Sequence, residues 1–166
     1  MPPGQKGGRG VRFQERIFME YKKVIFVSKE NIAIGPMAEW MFKSILMDKD
    51  KEIISRGLVV LFPEPRSMKV TDILMNHAIP CEEQISTEFT PDEVTEDTLV
   101  ITMNFAEKVK VLEDFGIEKN VYTIKEFVEE EGEIEEPMGG DDSVYEASYV
   151  EIKDLLYKIK KKLQWN

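Results

Sequence analysis

The sequence predicts a three-layer α/β/α fold, in which a parallel sheet lies between two layers of helices. Short apolar segments alternate with segments of helical spacing, and this alternation requires crossover connections between parallel strands. The strand-like segments are unbroken apolar runs, as expected when helices cover both faces of a sheet. A length of 166 residues suits one domain with one buried core.

Four strands and four helices follow from these patterns. The strands are predicted at residues 23–28, 57–62, 98–103 and 120–124. The helices are predicted at residues 37–47, 69–77, 104–115 and 144–163. Pro36 is well placed to begin the first helix, and Asn104 and Gly116 suit the two ends of the third. Because ligands of such sheets bind at the carboxyl ends of the strands, residues 28–35 are the expected site.

Residues 1–18 differ in composition from the rest of the chain. They are rich in Gly and Pro, and Lys6, Arg9, Arg12 and Arg16 make them basic. We predict a flexible basic tail at 1–18, followed by a folded domain at 19–166. Two interpretations of the tail stay open. It is either a passive extension ahead of Met19, encoded from an upstream start, or a basic arm that recruits an acidic partner.

Composition excludes several classes of partner and site. A net charge of −10 argues against nucleic acid and anionic membranes as partners. The longest apolar runs are too short to cross a bilayer, and no segment has the pattern of a signal peptide, so a cytoplasmic location is expected. Cys81 and His77 are the only residues of their types. This excludes an internal disulfide, and neither a metal site nor a cofactor is expected.

The most informative motif follows the first predicted strand and reads Ser28-Lys29-Glu30-Asn31-Ile32-Ala33-Ile34-Gly35-Pro36-Met37-Ala38-Glu39. It resembles the active-site loop of low-molecular-weight protein tyrosine phosphatases, which reads Cys-x5-Arg-Ser followed by Pro-Met-Ala-Glu. A second segment, Glu136-Pro137-Met138-Gly139-Gly140, resembles the Asp-Pro-x-Gly-Gly acid loop of that family. Shorter matches are Ser55-Arg56-Gly57, Tyr145-Glu146 and residues 121–127, the last typical of bacterial members. The resemblance extends over about residues 20–164.

The resemblance implies both a topology and a site. The family has a flavodoxin-like, four-stranded parallel sheet with strand order 2-1-3-4. Its anion-binding loop corresponds to residues 28–35, and its catalytic positions correspond to Ser28, Ile34, Gly35 and Glu136. Ile32 matches the tyrosine phosphatases, whereas related arginine phosphatases carry threonine there.

The residues at those catalytic positions differ from what phosphatase chemistry needs. The family forms a phosphocysteine, which requires an ionised thiol, and Ser28 is an alcohol. Ile34 replaces the arginine that grips the phosphoryl oxygens, and Gly35 replaces the hydroxyl residue that supports the nucleophile. Glu136 replaces the aspartate that protonates the leaving group. It is the only one of the four that retains the chemistry of the family residue.

Two hypotheses for function follow. The first is a catalytically inactive pseudophosphatase that acts as a binding or regulatory module for an unidentified protein partner. The alternative is a divergent or weak hydrolase that uses Glu136 as its acid. A deliberately inactivated enzyme would need only the serine, so the other three changes argue against it. The loop still precedes a helix, so weak binding of phosphate or sulfate is the most we expect. Glu30 and the acidic run at 126–136 oppose even that, unless the run is merely a solvated surface loop.

Overall fold

The structure is a computed structural model and describes residues 21–137 and 139–166. The predicted tail at 1–18 lies outside the described residues. The strands are β1 (Lys23–Ser28), β2 (Glu52–Gly57), β3 (Thr98–Thr102) and β4 (Val121–Thr123). The helices are α1 (Ile34–Ile45), α2 (Met68–Asn76), α3 (Phe105–Asp114), α4 (Ile124–Phe127) and α5 (Asp142–Leu163). One 3-10 turn covers Pro91–Glu93.

The four strands form a single sheet in the order β2-β1-β3-β4, and every pairing is parallel. Central strand β1 is covered on both sides. Val24 and Phe26 belong to the core cluster that also contains the buried faces of α1, α2 and α5. Ile25 and Val27 belong to a second cluster, which includes Val111 of α3. The predicted three-layer fold and its strand order are therefore confirmed.

The second strand differs from its prediction. It was predicted at 57–62, but β2 ends at Gly57, and Leu61 and Phe62 of the apolar run are about four-fifths exposed. A continuous apolar run is typical of a strand that is buried on both faces. Strand β2 lies at the edge of the sheet and instead alternates, with buried Ile53 and Ser55 next to more exposed neighbours. An edge strand needs buried residues only at every second position. The polar residues of β2 made this alternation hard to recognise in the sequence.

The remaining elements lie close to their predicted positions. Helix α1 begins at Ile34, before Pro36, so the chain becomes helical earlier than predicted. Strand β4 is shorter than predicted because the Thr123 hydroxyl accepts a hydrogen bond from the Glu126 amide and begins α4. Helix α3 has the predicted N-cap, Asn104, and Gly116 follows it with a left-handed φ of 69°. None of the helices among the described residues is both long enough and apolar enough to span a membrane.

Candidate functional site

The segment between β1 and α1 forms a compact loop at the carboxyl edge of the sheet. Three backbone hydrogen bonds hold it from one side: the Leu58 amide donates to the Ser28 carbonyl, Val59 to Lys29, and Ser67 to Ile32. Gly57 packs directly beneath the loop, where an added Cβ would lie 3.0 Å from both the Asn31 Cβ and the Glu30 carbonyl carbon. We call residues 28–35 the site loop.

Asn31 determines the shape of the site loop. It adopts a left-handed conformation with φ of 61°, which asparagine tolerates better than most residues. Its buried Nδ2 donates to the Ser55 hydroxyl at 2.9 Å, and its Oδ1 accepts from the Thr87 amide at 2.9 Å. The Ser55 hydroxyl in turn donates to the Glu39 carboxylate at 2.6 Å. Two separate motifs of the sequence, residues 28–39 and 55–57, thus meet in one polar network.

Ser28 is completely buried at the start of the loop. Its hydroxyl oxygen accepts a hydrogen bond from the Asn31 amide at 3.2 Å. A Cβ built on Gly35 would lie only 2.8 Å from this oxygen, so Gly35 provides the space that the hydroxyl now occupies. The structure therefore brings Ser28 and Gly35 together, in an arrangement that any side chain at position 35 would disturb.

Ile34 contributes its backbone, rather than its side chain, to the site. The side chain is fully buried and belongs to the large core cluster. Its amide is the first of α1 and donates to Oε2 of Glu136 at 3.4 Å. An amide at the N-terminus of a helix normally provides part of an anion site. Here that amide donates to the carboxylate of Glu136, which lies 102 residues further along the same chain.

Glu136 sits beside the site loop in a poorly hydrated position. The pKa of its carboxyl is raised to about 7, mainly by burial and to a smaller extent by the charges of Glu107 and Glu30. The hydrogen bond from the Ile34 amide opposes this shift, because it stabilises the charged form. A carboxyl with a pKa near 7 is partly protonated at neutral pH, so it can both donate and accept a proton.

Glu107 is a site residue that the sequence analysis missed. Its carboxylate accepts from the Met103 amide at 2.9 Å and from the Asn104 amide at 3.3 Å. The backbone amide of Lys29 also favours its charged form, although burial raises its pKa overall. A signal for it was present, because Asn104-x-x-Glu107 is a capping box at the start of α3.

Much of the acidic run at 126–136 is engaged elsewhere. Glu126 pairs with Lys108, and Glu130 pairs with Lys158. The Glu133 carboxylate accepts from the Phe105 amide at the start of α3. Of the carboxylates predicted to form a repulsive rim, Glu136 is the one that reaches the site loop. For Glu126 and Glu130, the interpretation as a solvated surface loop describes the structure better than a repulsive rim does.

The site encloses little space. A cavity of about 40 Å³ is lined by Lys29, Glu30, Asn31, Ile32 and Glu136, which is room for water-sized guests. Among the described residues, no group of three or more His, Cys, Asp or Glu side chains is arranged to hold a metal ion.

Cys81 and His77 both lie outside the site loop. The Cys81 sulfur contacts Nη2 of Arg66 at 3.4 Å, on the segment that follows α2. His77 caps the end of α2, stacks on Tyr149 and contacts the Glu146 carboxylate at 2.5 Å. The only thiol of the chain is therefore not the loop residue at the nucleophile position.

Comparison with known proteins agrees with the fold. Residues 23–166 match the model of the low molecular weight phosphotyrosine protein phosphatase family. The Staphylococcus aureus low molecular weight protein-tyrosine-phosphatase PtpB is 30% identical over 138 residues, which covers 83% of this chain and 96% of that protein.

Two solved structures extend the comparison. The low molecular weight protein tyrosine phosphatase from T. tengcongensis is 29% identical with a TM-score of 0.78, and the alignment covers 84% of this chain and 98% of that one. A mutant of YwlE arginine phosphatase with a phosphorylated active-site serine is 28% identical with a TM-score of 0.77, covering 86% and 95% of the two chains. The match to the family model extends over most of the chain, so this protein belongs to the low molecular weight protein tyrosine phosphatase family.

Proposed function

We propose that this protein is a pseudophosphatase: a family member without phosphatase turnover, whose site loop and surroundings bind a protein partner. One observation carries the proposal. The helix-terminal amide of Ile34, which would hold an anion, instead donates to the Glu136 carboxylate, and no guanidinium stands at position 34. A phosphoryl group would have to displace that carboxylate without the cation that normally compensates its charge.

The nucleophile position supports the same conclusion. The Ser28 hydroxyl is buried and contacts the Asn31 amide, which is a donor and cannot remove a proton. A serine does not by itself exclude phosphoryl transfer, because the YwlE mutant carries a phosphorylated active-site serine. The loss of the arginine therefore contributes as much to the proposal as the loss of the thiol. The roles of all four positions, Ser28, Ile34, Gly35 and Glu136, are part of this proposal.

A weak hydrolase is the second candidate, and one observation favours it. The pKa of Glu136, about 7, is suited to a general acid at neutral pH. Its carboxyl also lies beside the site loop, where a leaving group would depart. Such an enzyme would need a nucleophile other than a thiol, with water as the simplest choice and Glu136 as the acid that protonates the leaving group.

The test is a turnover assay with three substrates: an aryl phosphate, a phosphotyrosine peptide and a phosphoarginine peptide. We expect no turnover above the rate in buffer, for either the wild-type protein or Glu136→Gln. The S. aureus PtpB serves as the positive control. Turnover within tenfold of that control would contradict the proposal. Slow turnover that Glu136→Gln abolishes would establish the hydrolase instead. Mass spectrometry of the treated protein would reveal any phosphate transferred to Ser28.

The proposed location of the protein is the cytoplasm, and its proposed partner is another protein. Neither nucleic acid nor a membrane is proposed as a partner, because the net charge of −10 repels both. Phosphate or sulfate is expected to bind the site loop weakly, since Glu136 competes for the Ile34 amide.

A further inference from the structure

The second half of the apolar segment that was predicted as a strand is exposed to solvent in the structure. We call residues 59–62, Val-Val-Leu-Phe, the apolar loop. Leu61 is 81% exposed and Phe62 is 77% exposed, although residues of this kind are usually buried. Ile85, which is also exposed, lies across an antiparallel bridge from nearby Pro65. Exposed apolar residues grouped beside a cleft are typical of an interaction surface.

The apolar loop is firmly held at its base. Its Val59 amide donates to the Lys29 carbonyl at 2.8 Å, which fixes it against the site loop. Beyond the tip, Glu64 and Ser86 exchange hydrogen bonds, with the Glu64 amide donating to the Ser86 hydroxyl and the Ser86 amide to the Glu64 carbonyl. The chain therefore presents Leu61 and Phe62 on a loop anchored at both ends, and little conformational entropy would be lost on binding.

A groove of about 200 Å³ runs along the apolar loop, and its polar boundaries are acidic. Glu30 and Glu64 line it together with the four loop residues. Glu30 also borders the small cavity that contains Glu136, so the groove adjoins the carboxylates of the site. Two nearby cations do not line the groove, because Arg66 is buried among its own hydrogen-bond partners and Lys29 lines the small cavity of the site instead.

From this arrangement we propose that the groove binds a cationic, amphipathic segment of a partner protein. Apolar side chains of the partner would cover Leu61 and Phe62, and adjacent Lys or Arg residues would face Glu30 and Glu64. The segment needs no phosphate, because the Ile34 amide is already engaged by Glu136. This inference rests on the proposed binding role and specifies the chemistry of the partner.

The probe is a short fluorescein-labelled peptide in which pairs of Arg alternate with Leu and Phe. Its binding to the full chain is measured by fluorescence anisotropy. Two comparison peptides carry Glu in place of Arg, or Ser in place of Leu and Phe. We expect the cationic amphipathic peptide to bind at least about tenfold more tightly than either, because charge and apolar contact are both required.

Variants of the protein locate the binding surface. The double change Leu61→Ser and Phe62→Ser should weaken binding about tenfold, whereas Val150→Ser, at an exposed apolar position on α5, should leave it within twofold.

The pair Glu30→Gln and Glu64→Gln should weaken peptide binding about fivefold at low salt. The matched pair Glu113→Gln and Asp114→Asn changes net charge equally, at exposed positions on α3, and should have little effect. All of these side chains are at least partly exposed, so circular dichroism should show an unchanged fold.

Several results would overturn the inference. Equal losses in both charge pairs would show non-specific attraction to an acidic protein. Equal binding of the serine-substituted peptide would show that the apolar loop contributes nothing. Tighter binding of a phosphotyrosine form of the peptide would show that the surface still serves a phosphorylated ligand. If the protein lacks turnover and does not bind the peptide, the pseudophosphatase proposal survives and only this inference fails.

Discussion

At the scale of the residue, Glu136 shows what one additional methylene can change. An aspartate at the acid position would have a shorter reach, whereas the glutamate carboxyl extends to the Ile34 amide at 3.4 Å. Burial and the nearby charges of Glu107 and Glu30 raise its pKa to about 7. Glu136 therefore retains the chemistry of an acid. Its carboxylate also accepts the hydrogen bond from the Ile34 amide, which would otherwise be available to a phosphate.

The raised pKa of Glu136 makes a prediction about stability. The folded state holds this proton more tightly than the unfolded state, so protonation stabilises the fold. The stabilisation is complete below the usual pKa of 4.5 and is lost as pH rises through about 7. The difference between these pKa values corresponds to at most about 3 kcal/mol. We expect the free energy of unfolding to fall between pH 5 and pH 8, at about 1.4 kcal/mol per pH unit at most.

Urea titrations of the wild-type protein and Glu136→Gln across this pH range check the prediction. The amide variant should lose most of the slope, while Glu130→Gln, whose partner is Lys158 on the surface, should retain it. The slope that remains in Glu136→Gln reports other groups, such as Glu107, whose pKa burial also raises. Identical slopes in wild type and Glu136→Gln would contradict the assignment.

A second prediction at this scale concerns anions. Glu136→Ala frees the Ile34 amide and removes a negative charge from the site loop, so phosphate should bind more tightly. We expect an improvement of about tenfold over the wild-type protein, although the affinity should stay weak without an arginine. Phosphorus NMR titration measures this at pH 8, where most of the wild-type carboxylate is charged. An unchanged affinity would mean that Glu136 does not compete with the anion.

At the scale of the element, the site loop depends on contacts from outside its own segment. Asn31 links it to β2 through Ser55 and to the segment before the 3-10 turn through the Thr87 amide. The carboxylate of Glu39 in α1 accepts a hydrogen bond from the Ser55 hydroxyl, so the helix that begins at the loop also supports the network. A buried network of this kind stabilises one conformation only when its members are all satisfied.

Substitutions at Asn31 should separate the backbone contribution from that of the side chain. Asn31→Ala removes one buried and one partly buried hydrogen bond and places alanine at a φ of 61°, and we expect a loss of about 3 kcal/mol or more. Asn31→Gly loses the same bonds without the steric cost, so it should be about 1 kcal/mol less destabilised. Urea unfolding measures both variants. Equal stabilities would contradict the strain at this position, and a loss under 1 kcal/mol in both would contradict the network.

At the scale of the whole molecule, the question is whether the fold can still support phosphatase chemistry. The triple change Ser28→Cys, Ile34→Arg and Gly35→Ser restores the family residues at three positions. The scaffold around them is ordered, because Asn31 is held by its hydrogen bond to Ser55 and α1 begins at the end of the site loop. We expect vanadate-inhibited turnover of an aryl phosphate from the triple variant. No turnover is expected from any single change, since the thiolate and the guanidinium act together.

The structure indicates what the reversion must overcome. The Ile34 side chain lies in the core, so an arginine there must turn towards the cleft, where it meets the Glu136 carboxyl. A side chain at position 35 must displace the γ atom of residue 28, because the Ser28 oxygen lies only 2.8 Å from a Cβ built at position 35. Adding Glu136→Asp should therefore raise the rate further, by withdrawing the carboxyl from the phosphate position. A folded but inactive quadruple variant would show that the conformation of the site loop has changed too far for these four residues to restore activity.

The sequence by itself determined the fold class, the order of the elements and the family. These features depend on local patterns, such as the apolar run of β1, the Asn104 cap and the Pro36-Met37-Ala38-Glu39 motif. It also showed directly that the only cysteine, Cys81, is far along the chain from the loop position held by Ser28. Such information is readable because helix and strand periods, caps and motifs extend over only a few neighbouring residues.

Only the tertiary structure decided how these residues meet. It placed Leu61 and Phe62 in solvent rather than in a strand, because β2 is an edge strand formed by the preceding segment. It brought Glu136 to the Ile34 amide across 102 residues, and it buried the Ile34 side chain in the core. Contacts of this kind depend on the packing of distant segments, and the pKa of Glu136 depends on burial that no local pattern encodes.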